Sequence, residues 1–356
     1  MIKNEYVVVG LMSGTSLDGL DLACCKFSLV NGNWSFEILA AETIDYNASL
    51  RTQLAEADSF SGNDLWQLHV HLGHYFGKLV HAFIDKNKLQ VDFVCSSGHT
   101  VFHRPELGYT AQIGDGASIA AECGMDTICD FRSTDVAFGG QGAPLVPIGD
   151  KLLFSNYDYC LNIGGICNIS FDNADKRVAW DVAPANMLLN YYASTINLLF
   201  DENGNISASG QVHQSLLISL NDIEYYHTPY PKSLGKEYVF KYFIPLINQF
   251  EISVPDILAT VCEHIGVVVS RSIASNAEKK LLITGGGALN GHLISRIKAH
   301  TACQVVVPEI QLVNFKEAII FAFLGVLRMH QTVNCIKEVT GAVRDNIGGA
   351  IYIGVK

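Results

Sequence analysis

The chain lacks any run of Lys or Arg, any C-x-x-C pair and any leader-like start. Its 24 Lys and Arg stand against 35 Asp and Glu, a formal charge of −11. Without a basic patch, nucleic acid and anionic membrane are poor partners. Any phosphate bound here is therefore expected to be held by backbone amides, a metal ion and a few placed side chains. The ten cysteines are scattered through strand-like and helix-like segments, as at Cys24, Cys25, Cys95, Cys160 and Cys167. A chain of this size needs no disulfide staples, so free thiols in a reducing cytosol are expected. The N-terminus carries one Lys, then an acidic residue and a short apolar run broken by glycine, which does not read as a signal peptide. No segment is expected to reach the length that spans a bilayer. Soluble and cytoplasmic is the reading. The G-x-x-x-x-G-K-[ST] and G-x-G-x-x-G phosphate motifs are missing as well. The stretch HVHLGH puts His71 and His74 on one helix face and His69 elsewhere, with no H-E-x-x-H, so it reads as solvated or capping histidines and not as a metal site.

What is present is a packed globular composition. Of 356 residues, 49% are hydrophobic and only 17% charged. That length exceeds the usual single-core limit of about 250–300 residues, so two domains are expected. The opening "EYVVVGLMSGTSLDGLDLACCKF" reads as a β-hairpin. Val7, Val8 and Val9 fit a strand, Gly14 to Gly19 have turn chemistry, and Leu20 to Phe27 return. Such a glycine turn exposes amides to an anion. Helical spacing follows from about Ser49 to Lys88, with Leu65, Leu68, Leu72, Phe76 and Leu79 in step. "VDFVCSSGH" reads as a strand running into a loop, and "YTAQIGDGASIAAECGMDTICDFR" as loop, helix and strand. "FGGQGAPLVPIGDKLL" suits an interdomain crossing. "DYCLNIGGICNISF" then repeats the strand–glycine turn–strand pattern, and "KKLLITGGGALNGHLISRIKAH" reads as strand, Gly285-Gly286-Gly287, helix, a common place for nucleotide groups. Two hairpins, each near the start of one half, suggest an internal duplication with a ligand between the halves.

This layout is similar to the actin, hexokinase and Hsp70 superfamily. The stretches "MSGTSLDG", "HRPELGYTAQIGDG", "DFRSTDVAFGGQGAPLVP", "LNIGGICNIS", "PKSLGKE", "LLITGGGALN", "FKEAIIFAFLGVLR" and "VTGAVRDNIGGAIY" follow in the order seen in anhydro-N-acetylmuramic acid kinases. The resemblance covers nearly the whole chain. It implies an α/β, two-domain actin/hexokinase-like (ribonuclease H-like) fold with a central ligand cleft. The expected domains are 1–135, completed by about 338–356, and 136–337. It implies an ATP- and Mg²⁺-dependent kinase in peptidoglycan recycling, cleaving 1,6-anhydro-N-acetylmuramic acid with water and phosphorylating O6. The partner is a small anhydrosugar, and a homodimer is expected. Two other readings stay open: a kinase of a different anhydrosugar, as in the related levoglucosan kinases, and a non-catalytic sugar or nucleotide sensor.

Carried over residue by residue, the phosphate loop is Gly14, Thr15, Ser16, Leu17, Asp18, Gly19, Leu20 and Asp21, with Asp18 towards Mg²⁺; Asp18 shaping the turn is the competing reading. Gly164 and Gly165 form a second phosphate loop. Gly285, Gly286 and Gly287 border the adenosine, unless they only start a helix. Asp181 is the catalytic base, or else a helix N-cap, with Asn186 beside it in the family pattern. Val182, Ala183 and Ala185 depart from the family's Asp-Thr-Gly-Pro-Gly-Asn, and Ala does not readily take positive φ. His99, Thr100, Asp115, Arg132 and Asn186 are the expected sugar contacts, and Glu317 lies on the nucleotide side. Structural ion pairing competes for Asp115, Arg132 and Glu317. In "CSSGHTVFHRP", Ser97, His99 and Phe102 replace the family's His, Gln and Arg.

Overall fold

The computed structural model describes residues 3–14, 17–174 and 176–355. Among them the first strands are β1 (Glu5–Ser13), β2 (Gly19–Val30), β3 (Asn33–Asp45), β4 (Phe93–Arg104), β5 (Tyr109–Ile113) and β6 (Thr127–Cys129). Then come β7 (Tyr159–Ile163), β8 (Ile166–Asn173), β9 (Lys176–Pro184), β10 (Lys280–Thr284), β11 (Gln304–Val306) and β12 (Ala350–Tyr352). Two compact units result, Met1–Leu153 with Phe315–Lys356, and Phe154–Asn314.

In the first unit the sheet order is β12-β6-β4-β1-β2-β3, with β5 paired to β4. β1 and β2 form the expected hairpin, and β2 pairs antiparallel with β3, while β4 runs parallel to β1 and β6 parallel to β4. The second unit has the order β11-β10-β7-β8-β9. There β7, β8 and β9 are a meander, and β10 and β11 run parallel to β7. Each sheet is thus a three-stranded meander whose first strand is followed by two parallel strands. This is the ribonuclease H-like order, present twice. The hairpins beginning at Glu5 and Tyr159 occupy matching places in the two sheets, as the repeated sequence pattern suggests.

Several local readings need correction. The helical stretch from 49 to 88 is two helices, Ala48–Ala55 and Gly62–Asn87, because Ser61 accepts from the Asp64 amide and starts a new N-terminus. Tyr109–Ile113 is a strand and not a loop, paired with the end of β4. The Gly/Pro-rich crossing contains a helix, Val146–Leu153. That helix lies in the first unit. Gly149 meets Ile320, and buried Asp150 pairs with buried Lys316 at 2.6 Å. The compact units therefore divide at 153/154 and 314/315, where sequence suggested 135/136 and 337/338.

Among the described residues one helix, Ile310–Met329, is long and apolar enough to cross a membrane, contrary to the expectation that no segment is. Its apolar character has another cause: 72% of the window is buried inside the fold. A Cβ on Gly10 would overlap the Ala318 carbonyl, and one on Gly325 would overlap the Cys95 sulfur. Glycine at both places lets the helix lie directly on β1 and β4. The ten cysteines are all buried and free of disulfides.

Candidate functional site

In the first unit the candidate residues gather where β1 turns into β2. Thr15 and Ser16 lie outside the described residues. Leu17 takes φ +61° and its amide donates to the Gly14 carbonyl at 3.3 Å, closing the turn. Asp18 Oδ1 accepts from the Gly19 amide at 3.0 Å, the bond of a turn-shaping aspartate. Its carbonyl accepts from the Tyr46 amide and Arg51 Nη2, both at 3.2 Å. Gly19 is required for closeness, since a Cβ would stand 2.5 Å from the Ile44 carbonyl oxygen. Leu20 is buried in the core while Asp21, its neighbour in the strand, faces the other way and accepts from Thr43. Burial pushes the Asp21 carboxyl up to about 6, with the Asp18 and Glu317 charges adding to the rise.

Glu317 reaches this group because its helix lies on β1 through Gly10. Burial raises its pKa, and Arg132 and Lys316 offset part of that rise. Arg132 donates to the Gly142 carbonyl at 2.8 Å, and its Nε has no partner among the described residues. Structural pairing therefore explains only part of Arg132. Asp115 is the N-cap of the helix Gly116–Cys123, accepting from the Ser118 amide at 2.9 Å and from its hydroxyl at 2.6 Å. Its structural role is plain. Thr100 Oγ1 accepts weakly from Gln112 at 3.4 Å. His99 is buried, and its Nδ1 lies 2.9 Å from Ser13 Oγ.

Among the described residues no group of three or more His, Cys, Asp or Glu is arranged to hold a metal ion. Mg²⁺ asks for less, using one or two carboxylates and completing its shell with phosphate and water. Asp18 and Asp21 suit that demand, since burial and, after it, the Asp18 and Glu317 charges raise the Asp21 pKa, and a cation would relieve the charge repulsion. His69 Nδ1 accepts from the Gly114 amide at 3.1 Å, and His74 meets Glu122 at 2.8 Å, so both serve the packing of the helix Gly62–Asn87.

In the second unit the parallel strands β7 and β10 end side by side, with Thr284 opposite Asn162. Their C-terminal ends carry the Gly164-Gly165 turn and the Gly285–Gly287 segment, which is where open α/β sheets bind ligands. The Gly165 carbonyl accepts from the Ala185 and Met187 amides at 2.9 and 3.0 Å, and the Gly164 carbonyl from Asn186 at 3.1 Å. The turn's carbonyls are thus occupied by the start of the helix Asn186–Ser194. Gly285 takes φ +82°, and a Cβ there would be 2.7 Å from Asn162 Oδ1; at Gly287 it would overlap the Ile163 side chain. Gly286 is different. It is exposed, and its nearest neighbour would be Asn186 Nδ2 at 3.7 Å. The structure therefore brings Gly164, Gly165, Asn186 and all three later glycines together, with one glycine facing outward.

Asp181 lies in β9 and is not a helix N-cap; that position belongs to Ala185, with φ −121° and no side-chain cap. Ala183 and Ala185 both stay outside the left-handed region, so this turn needs no glycine. Burial raises the pKa of Asp181, and the hydrogen bond that the Leu234 amide donates to Oδ2 at 2.8 Å opposes the rise. Its amide donates to the Lys232 carbonyl at 3.2 Å and its carbonyl accepts from Tyr225 at 2.6 Å. A half-buried carboxylate with raised pKa, oriented by the Leu234 amide on a backbone that Lys232 and Tyr225 hold, is suited to general base chemistry. Sequence reasoning missed Tyr225, Lys232 and Leu234 as its supports, although the last two lie in the "PKSLGKE" stretch. A pocket of about 240 Å³ also opens in this unit, lined by Trp180, Tyr230, Lys232 and Arg271 among others, but it contains none of the expected site residues.

The model of the family described as anhydro-N-acetylmuramic acid kinase matches residues 6–354. A protein of that name from Hydrogenovibrio crunogenus is 34% identical over 363 residues, covering 97% of each chain. One from Shewanella denitrificans is 34% identical over 380 residues, covering 99% of each. Among solved structures, component A of (R)-2-hydroxyglutaryl-CoA dehydratase from Acidaminococcus fermentans aligns with TM-score 0.47 at 11% identity, over 91% of this chain and 99% of that one. The match to the family runs from end to end, through both glycine hairpins, the Gly285–Gly287 segment and Asp181, and this chain belongs to the anhydro-N-acetylmuramic acid kinase family.

Proposed function

We propose that the chain uses ATP and water to open 1,6-anhydro-N-acetylmuramic acid and phosphorylate its O6, giving N-acetylmuramic acid 6-phosphate. The observation that carries the chemistry is Asp181, a half-buried carboxylate whose raised pKa and hydrogen bond from the Leu234 amide suit it to take a proton from water. That water attacks the anomeric carbon. The bond from C1 to the bridging oxygen breaks, and the released O6 takes the γ-phosphoryl group while ADP leaves. No second base is needed, because the leaving oxygen is itself the phosphoryl acceptor. The product belongs to a route that reuses peptidoglycan sugar.

The roles of the other residues follow from their surroundings. The glycine loop Gly14–Asp21 and the Gly164-Gly165 turn would take the phosphate oxygens, while Gly285, Gly286 and Gly287 give the adenosine a surface without side chains. Asp18 with Asp21 would hold Mg²⁺, which supplies charge neutralisation for the triphosphate. Arg132, whose Nε has no partner among the described residues, offers a donor to the sugar, together with His99, Thr100 and Asn186, while the Asp115 carboxylate would accept from a sugar hydroxyl. A second reading, a kinase of another anhydrosugar, is favoured by Ser97, His99 and Phe102, which differ from the family pattern at the end of β4. Incubation with ATP, Mg²⁺ and a panel of anhydrosugars, followed by mass spectrometry, decides between them. Phosphorylated N-acetylmuramic acid supports the first reading. Phosphorylation of only another sugar supports the second, and no product from any sugar refutes both.

A further inference from the structure

Three side chains of the first unit form a buried hydrogen-bonded chain that no motif foretells. Tyr46 Oη donates to Ser13 Oγ at 2.7 Å, and Ser13 Oγ lies 2.9 Å from His99 Nδ1. All three are buried, with exposures of 2% for Tyr46, 4% for Ser13 and 3% for His99. The position of each proton follows from counting donors and acceptors. The phenol proton of Tyr46 has one acceptor among the described residues, Ser13 Oγ. Ser13 must then send its own hydroxyl proton to the remaining partner, His99 Nδ1. The Ser13 amide is already spent on Ser97 Oγ at 3.3 Å, and Ser97 sends its proton to the Gly98 carbonyl at 2.8 Å. Burial lowers the pKa of His99, so the ring is neutral at pH 7 and carries a single proton. With Nδ1 accepting, that proton sits on Nε2, which has no partner among the described residues.

Tyr46 also holds the adjoining turn. Its amide donates to the Asp18 carbonyl at 3.2 Å while its hydroxyl holds Ser13, so one residue clasps both ends of the 14–18 segment. We propose that Tyr46 and Ser13 are positioning residues that fix His99 as the Nε2–H tautomer and present that N–H as a donor to an oxygen acceptor of the anhydrosugar. The inference rests on the anhydrosugar kinase reading and deepens it. It also explains how histidine can replace the family's glutamine at this position. A carboxamide can accept from Ser13 through its oxygen and donate through its nitrogen, as the Nε2–H tautomer does. The opposite tautomer would face Ser13 with a donor and the ligand with a lone pair.

Imidazole nitrogen NMR of the full-length ¹⁵N-labelled protein at pH 7.5, with the His99 signal identified by its loss in His99→Gln, reads the tautomer directly. The expected result is a protonated Nε2 and an unprotonated Nδ1. Titration with 1,6-anhydro-N-acetylmuramic acid and, separately, with ATP supplies the second readout. His99→Phe and Tyr46→Phe are expected to weaken sugar binding about five- to tenfold, the effect of one hydrogen bond. ATP affinity should hold, because Tyr46→Phe keeps the hydrogen bond from its backbone amide to the Asp18 carbonyl. His99→Gln should bind the sugar close to the wild-type level, which a purely packing role for the ring would not allow. A wild-type ring protonated on Nδ1 overturns the proposal even if a variant fails to fold. So does unchanged sugar binding in both phenylalanine variants. An active kinase with the wrong tautomer refutes this inference alone, whereas the right tautomer in a protein that phosphorylates no anhydrosugar refutes the functional reading.

Discussion

Replacing Gly286 with valine separates ligand recognition from folding better than any other change in the glycine segment. Gly285 sits at φ +82° with Asn162 and the Ile163 carbonyl within 2.7 Å of any added Cβ, so a side chain there is strained twice over. Gly287 abuts the Ile163 side chain, and valine at that position would overpack the core by about 1–3 kcal/mol. Gly286 has no such obstacle, its closest neighbour standing 3.7 Å away. Gly286→Val should therefore change folding stability by only about 0.5 kcal/mol, as an exposed substitution does. Its three added carbons would occupy the surface on which the adenosine is proposed to lie. The expected loss of ATP affinity is about tenfold or more, equivalent to ~1.4 kcal/mol. Calorimetric titration with ATP, paired with thermal melts of Gly286→Val and Gly287→Val, tests both halves. The reasoning fails if Gly286→Val is folded and binds ATP like the wild type, because the nucleotide would then lie elsewhere. It also fails if Gly287→Val melts no lower than the wild type.

Other outcomes follow from the same surroundings. Asp181→Asn keeps an acceptor for the Leu234 amide but loses the base, so turnover should fall by a factor on the order of 10²–10⁴ with ATP binding retained; near-normal turnover of the purified variant would remove Asp181 from the mechanism. Asp18→Asn should raise the Mg²⁺ concentration needed for half-maximal activity by about tenfold, the loss of one charged ligand, and an unchanged Mg²⁺ dependence would contradict that assignment. His264 is fully buried between Tyr226 and Asn221, and burial lowers its pKa from 6.5 to about 3. The unfolded chain then binds the proton more readily, so this stabilisation is complete above pH 6.5 and is lost as pH falls towards 3. At pH 5 the loss is about 2 kcal/mol, measurable by urea denaturation at pH 5 and 7. His264→Gln should flatten that pH dependence, and equal slopes for both proteins would contradict the assignment.

Much of the fold was legible because its signals are local. A β-branched run, a glycine turn and an apolar return lie within some twenty residues of each other at Glu5 and again at Tyr159. The hydrogen bonds that make a hairpin need only those neighbours. Asp181 and the glycine segments stood out in the same way, through short stretches of residue type and order. What escaped the sequence is long in range. Tyr46 and Ser13 are 33 residues apart, Ser13 and His99 are 86 apart, and the Leu234 amide reaches Asp181 across 53. Tyr46 belongs to no motif, and its hydroxyl gained a role only when β3 folded beside β2 and β4 beside β1. The helix Ile310–Met329 makes the same point through burial. Length and composition alone cannot tell a core helix from a membrane span, and the difference was decided by Gly10 and Gly325, whose missing side chains admit the helix against the sheet. Sequence determined which segments become strands and turns, since backbone preference and apolar spacing act over a few residues. Only the tertiary structure decided which polar atoms satisfy one another, because a buried donor takes whatever acceptor the packed chain brings within reach.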